Sequence, residues 1–261
     1  MPTPAYTVTR GIVLRETETK EADKILTLLT AEQGKLPVIA RGVRRRSSRY
    51  CAAAQPLAWS EWTLWRKGDW FYANEGTTLE LFDGLRRDLS RLSLGFYFAE
   101  LTEAVTAEGE SAPELLSHLL NGLYALDALH KPEKLAKAAF EFRLLSLAGY
   151  EPLADGCAVC GREEPLEPVL DPVQGVLRCR ACGSGGAPLC ADSLAALRHI
   201  LYGDPKRLYS FQLGPEALCR LGAAAEAFAA AQLERNFRTL EYYKSLQAAI
   251  LLAGGPTSEH K

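Results

Sequence analysis

Cys157-Ala-Val-Cys160-Gly161 is answered by Cys179-Arg-Ala-Cys182-Gly183, two C-x-x-C pairs with 18 residues (161–178) between them. That spacing falls in the range of a four-cysteine zinc site. A tetrahedral ion takes four thiolates at about 2.3 Å, and each C-x-x-C turn presents two sulfurs from one knuckle. The glycine after each pair is expected to let the backbone fold back toward the sulfurs at little steric cost. A redox dithiol or a set of buried structural cysteines would need neither two matched pairs nor a glycine after each. Cys157, Cys160, Cys179 and Cys182 are therefore the expected ligands of one structural Zn(2+) ion. Four thiolates close the coordination sphere, so the motif predicts a scaffold rather than a catalyst. It also divides the chain into a front part and a back part.

The 261 residues allow two or three domains, and an apolar share of 48% is ample for real cores. Net charge is −2, so any attraction to a polyanion must be local. Of the seven cysteines, Cys51, Cys190 and Cys219 are scattered and read as ordinary thiols. Such usage suits a reducing cytoplasm better than a disulfide framework. Met1-Pro-Thr-Pro-Ala5 lacks an apolar leader core, and no long apolar run follows. The expectation is a soluble, cytoplasmic protein with no membrane partner.

Residues 1–82 read as strands. Tyr6-Thr-Val-Thr-Arg-Gly-Ile-Val-Leu14 alternates and is rich in β-branched residues. Lys24-Ile-Leu-Thr-Leu-Leu-Thr30 and Lys35-Leu-Pro-Val-Ile-Ala40 follow, Pro56 opens a fourth strand, and Trp70-Phe-Tyr-Ala-Asn-Glu75 returns as a fifth. Five short strands in this span predict a small closed barrel, with the OB-fold the leading candidate. Between Glu32 and Glu61 no acidic residue occurs, while Lys35, Arg41, Arg44, Arg45, Arg46 and Arg49 carry a local charge of +6. Arginine suits forked contact with phosphate oxygens and stacking on bases. A solvated loop would explain one or two such cations; six without a counter-charge point to a phosphate backbone. All four tryptophans (Trp59, Trp62, Trp65, Trp70) sit beside this segment. Most are expected in the barrel core, although alternation turns at least one outward.

From residue 83 the period becomes helical. Leu85, Leu89, Leu92, Phe96 and Ala99 form one stripe, and Leu115, Leu116, Leu119, Leu120, Leu123 and Leu126 another. Ser111-Ala-Pro-Glu114 has the form of a capping box. A helix is expected from about Glu133 to Leu147, ending at Gly149, and its Lys134, Lys137 and Arg143 could receive an acidic peptide. The cysteine segment carries six acids against three arginines, which makes it a poor reader of DNA and favours a folding role for the metal. Beyond it, Asp192 is expected to cap a helix ending near Gly203. Gly214-Pro215-Glu216 opens a longer helix, and a last one lies around Arg235 to Lys244, before a frayed end from Gly254. No G-x-x-x-x-G-K-S/T phosphate loop and no G-x-S-x-G elbow occurs, so neither a nucleotide cofactor nor an active site is expected.

These pieces resemble the RecO family of bacterial recombination and repair proteins over nearly the whole chain. The resemblance rests on Gly34-Lys-Leu-Pro-Val-Ile-Ala-Arg-Gly-Val-Arg-Arg-Arg-Ser-Ser48 with Gln55-Pro56. It rests also on Phe140-Glu-Phe-Arg-Leu-Leu-Ser-Leu-Ala-Gly-Tyr-Glu-Pro152 and on the C-x-x-C-G at Cys157. It implies an α+β multidomain protein with an OB-fold barrel at 1–82, a helical domain at 83–150, an inserted four-cysteine zinc ribbon at 151–191, and C-terminal helices at 192–261 packing on the helical domain. It further implies a non-enzymatic mediator that binds single- and double-stranded DNA and anneals strands without ATP. Such a mediator contacts RecR and the acidic tail of single-strand-binding protein (SSB), and serves RecA indirectly on nucleoid DNA. The DNA surface would be Lys35 to Arg49. The tail-binding cation of the family falls just ahead of Phe140-Glu141, where this chain has Ala138 and Ala139, and Lys137 or Arg143 would substitute. A rival reading is a zinc-ribbon and OB-fold adaptor binding RNA or protein in transcription or translation; a zinc hydrolase is a weaker third.

Overall fold

In the computed structural model, which describes residues 6–19 and 21–253, the alternation of the first eighty residues closes into a barrel. The expected frayed end from Gly254 lies outside the described residues. The strands are β1 (Tyr6–Thr19), β2 (Asp23–Thr30), β3 (Gly34–Ala40), β4 (Trp59–Lys67) and β5 (Trp70–Glu80), in the OB-like order β1-β2-β3-β5-β4. A short parallel contact, Val38 beside Phe71 and Ile39 beside Tyr72, closes it. β1 serves two neighbours: Tyr6 to Ile12 pair with β4, and Gly11 to Thr19 with β2. The register slips between Val13 and Arg15, a bulge that bends the strand from one partner to the other. Val13, Leu26, Leu28, Val38, Trp62 and Leu64 fill the interior.

The tryptophans depart from expectation. Trp62 alone of the four is fully buried; Trp59 and Trp65, one on either side of it along β4, are half-buried outside the barrel interior, and Trp70 is exposed. The interior of so small a barrel holds one indole, and the pleat turns Trp65 outward.

The helices are α1 (Asp83–Arg86), α2 (Leu89–Val105), α3 (Pro113–Asp127) and α4 (Glu133–Leu147), then α5 (Ala191–Tyr202), α6 (Pro215–Leu233) and α7 (Arg238–Ala253). Between α4 and α5 the chain makes a three-stranded sheet, β7-β6-β8, from β6 (Pro168–Asp171), β7 (Val176–Cys179) and β8 (Ala187–Pro188). α2 is the axis of the helical part and packs against β1, α3, α4 and α7. The burial on it departs from the expected stripe: Leu89 is exposed, while Ser93, Leu94, Gly95, Tyr97, Phe98 and Leu101 are all buried. A helix covered on most sides does not confine its apolar residues to one stripe.

Two expected caps are also corrected. Ala112 occupies the N-cap of α3, and the Ser111 hydroxyl donates instead to the Ala31 carbonyl at 3.0 Å, tying the helix to the β2–β3 turn. At α5 the N-cap is Cys190, whose backbone N–H donates to the Ser193 hydroxyl at 2.7 Å, and Asp192 lies inside the first turn.

One apolar core runs through the molecule, from Ile12 and Leu29 of the barrel through Phe98 and Phe140 to Leu170 and Leu177 of the ribbon and Tyr243 of α7. At its centre Phe98 and Phe140 stack at 3.8 Å, and Gly122 of α3 lies so close that a Cβ there would meet the Phe140 ring at 2.7 Å. No helix among the described residues is long and apolar enough to cross a membrane.

Candidate metal centre and nucleic-acid interface

The four cysteines converge. Their sulfurs all lie within 4.8 Å of one another, and Cys160 Sγ is 3.9 Å from Cys179 Sγ. A tetrahedron with bonds of about 2.3 Å has edges of about 3.8 Å, so the cluster fits an ion of zinc's size and geometry. Backbone amides serve the sulfurs: Leu166 N–H donates to Cys179 Sγ and Cys179 N–H to Cys157 Sγ, each at 3.3 Å. The amides of Cys160 and Cys179 hold the Cys157 thiol down to about 6. Hydrogen bonding to Cys160, together with burial and the neighbouring Cys157, pushes Cys182 up to about 12. One negative sulfur is stabilised by the fold and further ones are resisted, a conflict that a divalent cation relieves.

The two knuckles differ. Gly161 has φ +71° and its N–H closes the turn onto the Cys157 carbonyl at 2.9 Å, as the sequence led us to expect. Gly183 is extended, at φ −178°, because the second pair sits on a single 3₁₀ turn, Arg180–Cys182. Arg198 of α5 holds the ribbon to the helices. Its guanidinium donates to the carbonyls of Ala154 (2.8 Å), Asp155 (3.1 Å) and Glu163 (2.7 Å), and pairs with Glu164 at 2.6 Å. Nothing local in the sequence marks Arg198 for this task, since even Glu164, the nearest of these partners in sequence, lies 34 residues earlier.

The arginine segment forms the β3–β4 connection. Val43 is buried in the barrel core and Tyr50 meets Trp62 edge-on at 6.3 Å, so the loop is pinned at both ends while Arg41, Arg44, Arg45, Arg46 and Arg49 stay exposed. Gly42, at φ +64°, makes the turn out of β3, and its N–H donates to Asp23 Oδ1 at 2.7 Å. Arg41 places its guanidinium over the Tyr72 ring at 4.8 Å. Arg44 pairs with Glu18 at 3.1 Å, whereas Arg45, Arg46 and Arg49 have no ion pair among the described residues. Glu18 and Asp23 are thus acidic neighbours that the acid-free interval from Glu32 to Glu61 does not reveal. Lys35 stands apart. It lies six positions before Arg41 on β3, about 20 Å along an extended strand, and its Nζ donates to the Glu103 carbonyl at 3.0 Å.

On α4 the three cations separate. Lys134 is exposed. Lys137 is buried and pairs with Glu141 at 2.8 Å and Glu226 at 3.2 Å. Glu141 is fully buried and also accepts from the Tyr97 hydroxyl at 2.6 Å; burial raises its carboxyl, which Lys137 opposes. Arg143 donates to the Leu201 carbonyl at 2.7 Å. Beside Lys134 and Lys137, a groove of about 410 Å³ opens between α4, α6 and α7, lined by Leu218, Ala223, Tyr243 and Leu251 with Lys244 at its rim.

Two sequence profiles match the chain, one described as Recombination protein O N terminal over residues 5–82, the other as Recombination protein O C terminal over residues 86–241. The chain belongs to the RecO family. Among curated relatives, the DNA repair protein RecO of Acetivibrio thermocellus is 30% identical, covering 92% of this chain and 97% of its own. That of Symbiobacterium thermophilum is 33% identical with the same coverage. That of Heliobacterium modesticaldum is 33% identical, covering 92% and 90%. The arginine loop falls inside the N-terminal RecO match and the four cysteines inside the C-terminal one.

Proposed function

We propose that the protein is a non-enzymatic DNA-repair mediator that binds single- and double-stranded DNA through the barrel and anneals complementary strands without ATP. With RecR it replaces SSB by RecA on gapped DNA. The observation that carries this is the exposed, anchored cluster of five arginines on an OB-like barrel in a chain of the RecO family. Its physics is charge neutralisation: guanidinium groups lower the repulsion between two phosphate backbones, and base pairing supplies the driving force. In this reading residues 1–82 are the DNA-binding domain, 83–150 the helical domain, 151–191 the ribbon and 192–261 the C-terminal helices packed on the helical domain. Cys157, Cys160, Cys179 and Cys182 hold one zinc ion that folds the ribbon. The acidic SSB tail docks in the groove beside Lys134 and Lys137, with Lys244 at the rim. Arg143, tied to the Leu201 carbonyl of α5, is not among the residues lining that groove and takes no part in holding the tail.

The test is annealing of complementary strands coated with SSB from the same species, without ATP, for wild type and for Arg44→Ala/Arg45→Ala/Arg46→Ala. Annealing by wild type and its loss in the variant support the mediator and its surface. Annealing by neither refutes the mediator reading.

A further inference from the structure

We propose that the outer face of the barrel carries a stacking subsite for unpaired nucleobases, built from Trp65 and Tyr72 in line with Arg41. The proposal rests on the DNA-binding reading above and adds what the barrel recognises beyond phosphate. Trp65 on β4 and Tyr72 on β5 are direct partners across the ladder. Their rings stack at 4.5 Å with 19° between planes, and Arg41 covers the far side of the row, 4.8 Å above the Tyr72 ring. On the other flank Tyr6 of β1 lies opposite Trp65 and is 53% exposed. The row therefore runs across three strands and ends on the first residue of the arginine loop.

Among the described residues, neither Trp65 nor Tyr72 belongs to either apolar core, and no helix packs substantially on β4 or β5, so folding alone does not account for an indole and a phenol at this place. The surroundings suit an anionic, planar ligand. Lys67 and Trp70, partners across the adjoining turn, are exposed on the same face, while Arg66 lies over Phe71 at 5.7 Å on the other side of the strands. Asp69, 3.8 Å from Arg66, is the acid of that turn. Tyr72 takes one face of the indole; the opposite face looks along the ladder toward Tyr6, where a base would extend the stack and bring its flanking phosphates beside the cations. Base–aromatic stacking tolerates any sequence because every base has a π-face. Bases inside a duplex are already stacked on both sides, so this subsite selects single strands.

The experiment uses the full chain and three labelled probes of equal length: oligo(dT), an abasic deoxyribose-phosphate strand, and a duplex. Wild type is expected to bind oligo(dT) about 5- to 100-fold more tightly than the abasic strand, with tryptophan quenching by oligo(dT) alone. Trp65→Ala removes that preference and leaves the abasic and duplex affinities unchanged, while Trp65→Phe keeps most of it. Tyr72→Leu, which preserves an apolar cross-strand partner, gives the same split should Trp65→Ala fold poorly. Equal binding of oligo(dT) and the abasic strand by wild type would overturn the subsite and leave the arginine reading standing. A uniform loss for all three probes in Trp65→Ala and Tyr72→Leu would overturn it too, as a purely structural role. Binding of no probe by wild type would refute the DNA-binding reading and this one with it.

Discussion

Replacing Arg44, Arg45 and Arg46 by alanine changes the salt dependence of DNA binding by an amount that the structure bounds. Each phosphate neutralised on a single strand contributes about 0.7 to the slope of log affinity against log salt. Three contacts would contribute about 2.1. Arg44 differs from the other two because it pairs with Glu18 at 3.1 Å, with the two side chains 40% and 60% exposed. An exposed pair is worth at most about 1 kcal/mol, so a phosphate can displace Glu18, although the carboxylate then stays near the strand. If Arg44 remained with Glu18, Arg45 and Arg46 would account for about 1.4. Between about 50 and 200 mM salt, wild type should therefore lose about 7- to 20-fold more affinity than the triple variant. Anisotropy of a labelled oligo(dT) over that range measures it. Glu18→Gln is the internal control, steepening the wild-type slope by at most about 0.7. Equal slopes for wild type and triple variant would refute the assignment of this loop.

His118 is buried, stacked on Phe140 at 4.5 Å, and its Nε2 bonds the Phe140 carbonyl; burial lowers it to about 4. The unfolded chain therefore binds an extra proton between about pH 6.5 and 4, and stability falls across that window as pH falls, by about 3 kcal/mol in all. His118→Gln should flatten the acid limb of a urea-midpoint profile; an unchanged limb would count against it. Lys137→Met strands the fully buried Glu141 and should cost about 3–5 kcal/mol, most of it recovered by adding Glu141→Leu. A near-neutral Lys137→Met in urea titration would show that the pair is dispensable. Metal analysis should find one zinc per chain and none in Cys160→Ser, with the ribbon becoming protease-sensitive and oligonucleotide binding retained. Full ribbon protection in the metal-free variant would contradict a metal-folded segment.

Local pattern made the barrel legible, because strand alternation depends on neighbours in sequence, although alternation alone did not say that Trp62 is the one tryptophan turned inward. The cysteine cluster was legible for a similar reason: the chemistry of four thiolates is fixed by spacing. What could not be read depends on distant partners. Lys137 finds Glu226 after 89 residues, Lys35 finds Glu103 after 68, and Ser111 leaves its own helix for Ala31. The α2 stripe failed for a different cause. Apolar periodicity reports which side of a helix meets water, and α2, surrounded by β1, α3, α4 and α7, has little such side. The cation row Arg41–Tyr72–Trp65 was hidden because β3 and β5 meet in parallel across the closure of the barrel, a pairing that no hairpin announces.

The shared core bears on mechanics. Phe82, at the end of the barrel sequence, is buried at φ +53°, and the Arg86 guanidinium binds the carbonyls of Leu81 and Pro56 at 2.9 and 2.8 Å. The passage from barrel to helices is thus a welded joint rather than a hinge. If a strand held by the arginine loop pulled on it, the load would pass from Val43 through the barrel wall to Ile12 and Leu29, where the barrel joins the helical core, so that barrel and helices would move as one lever.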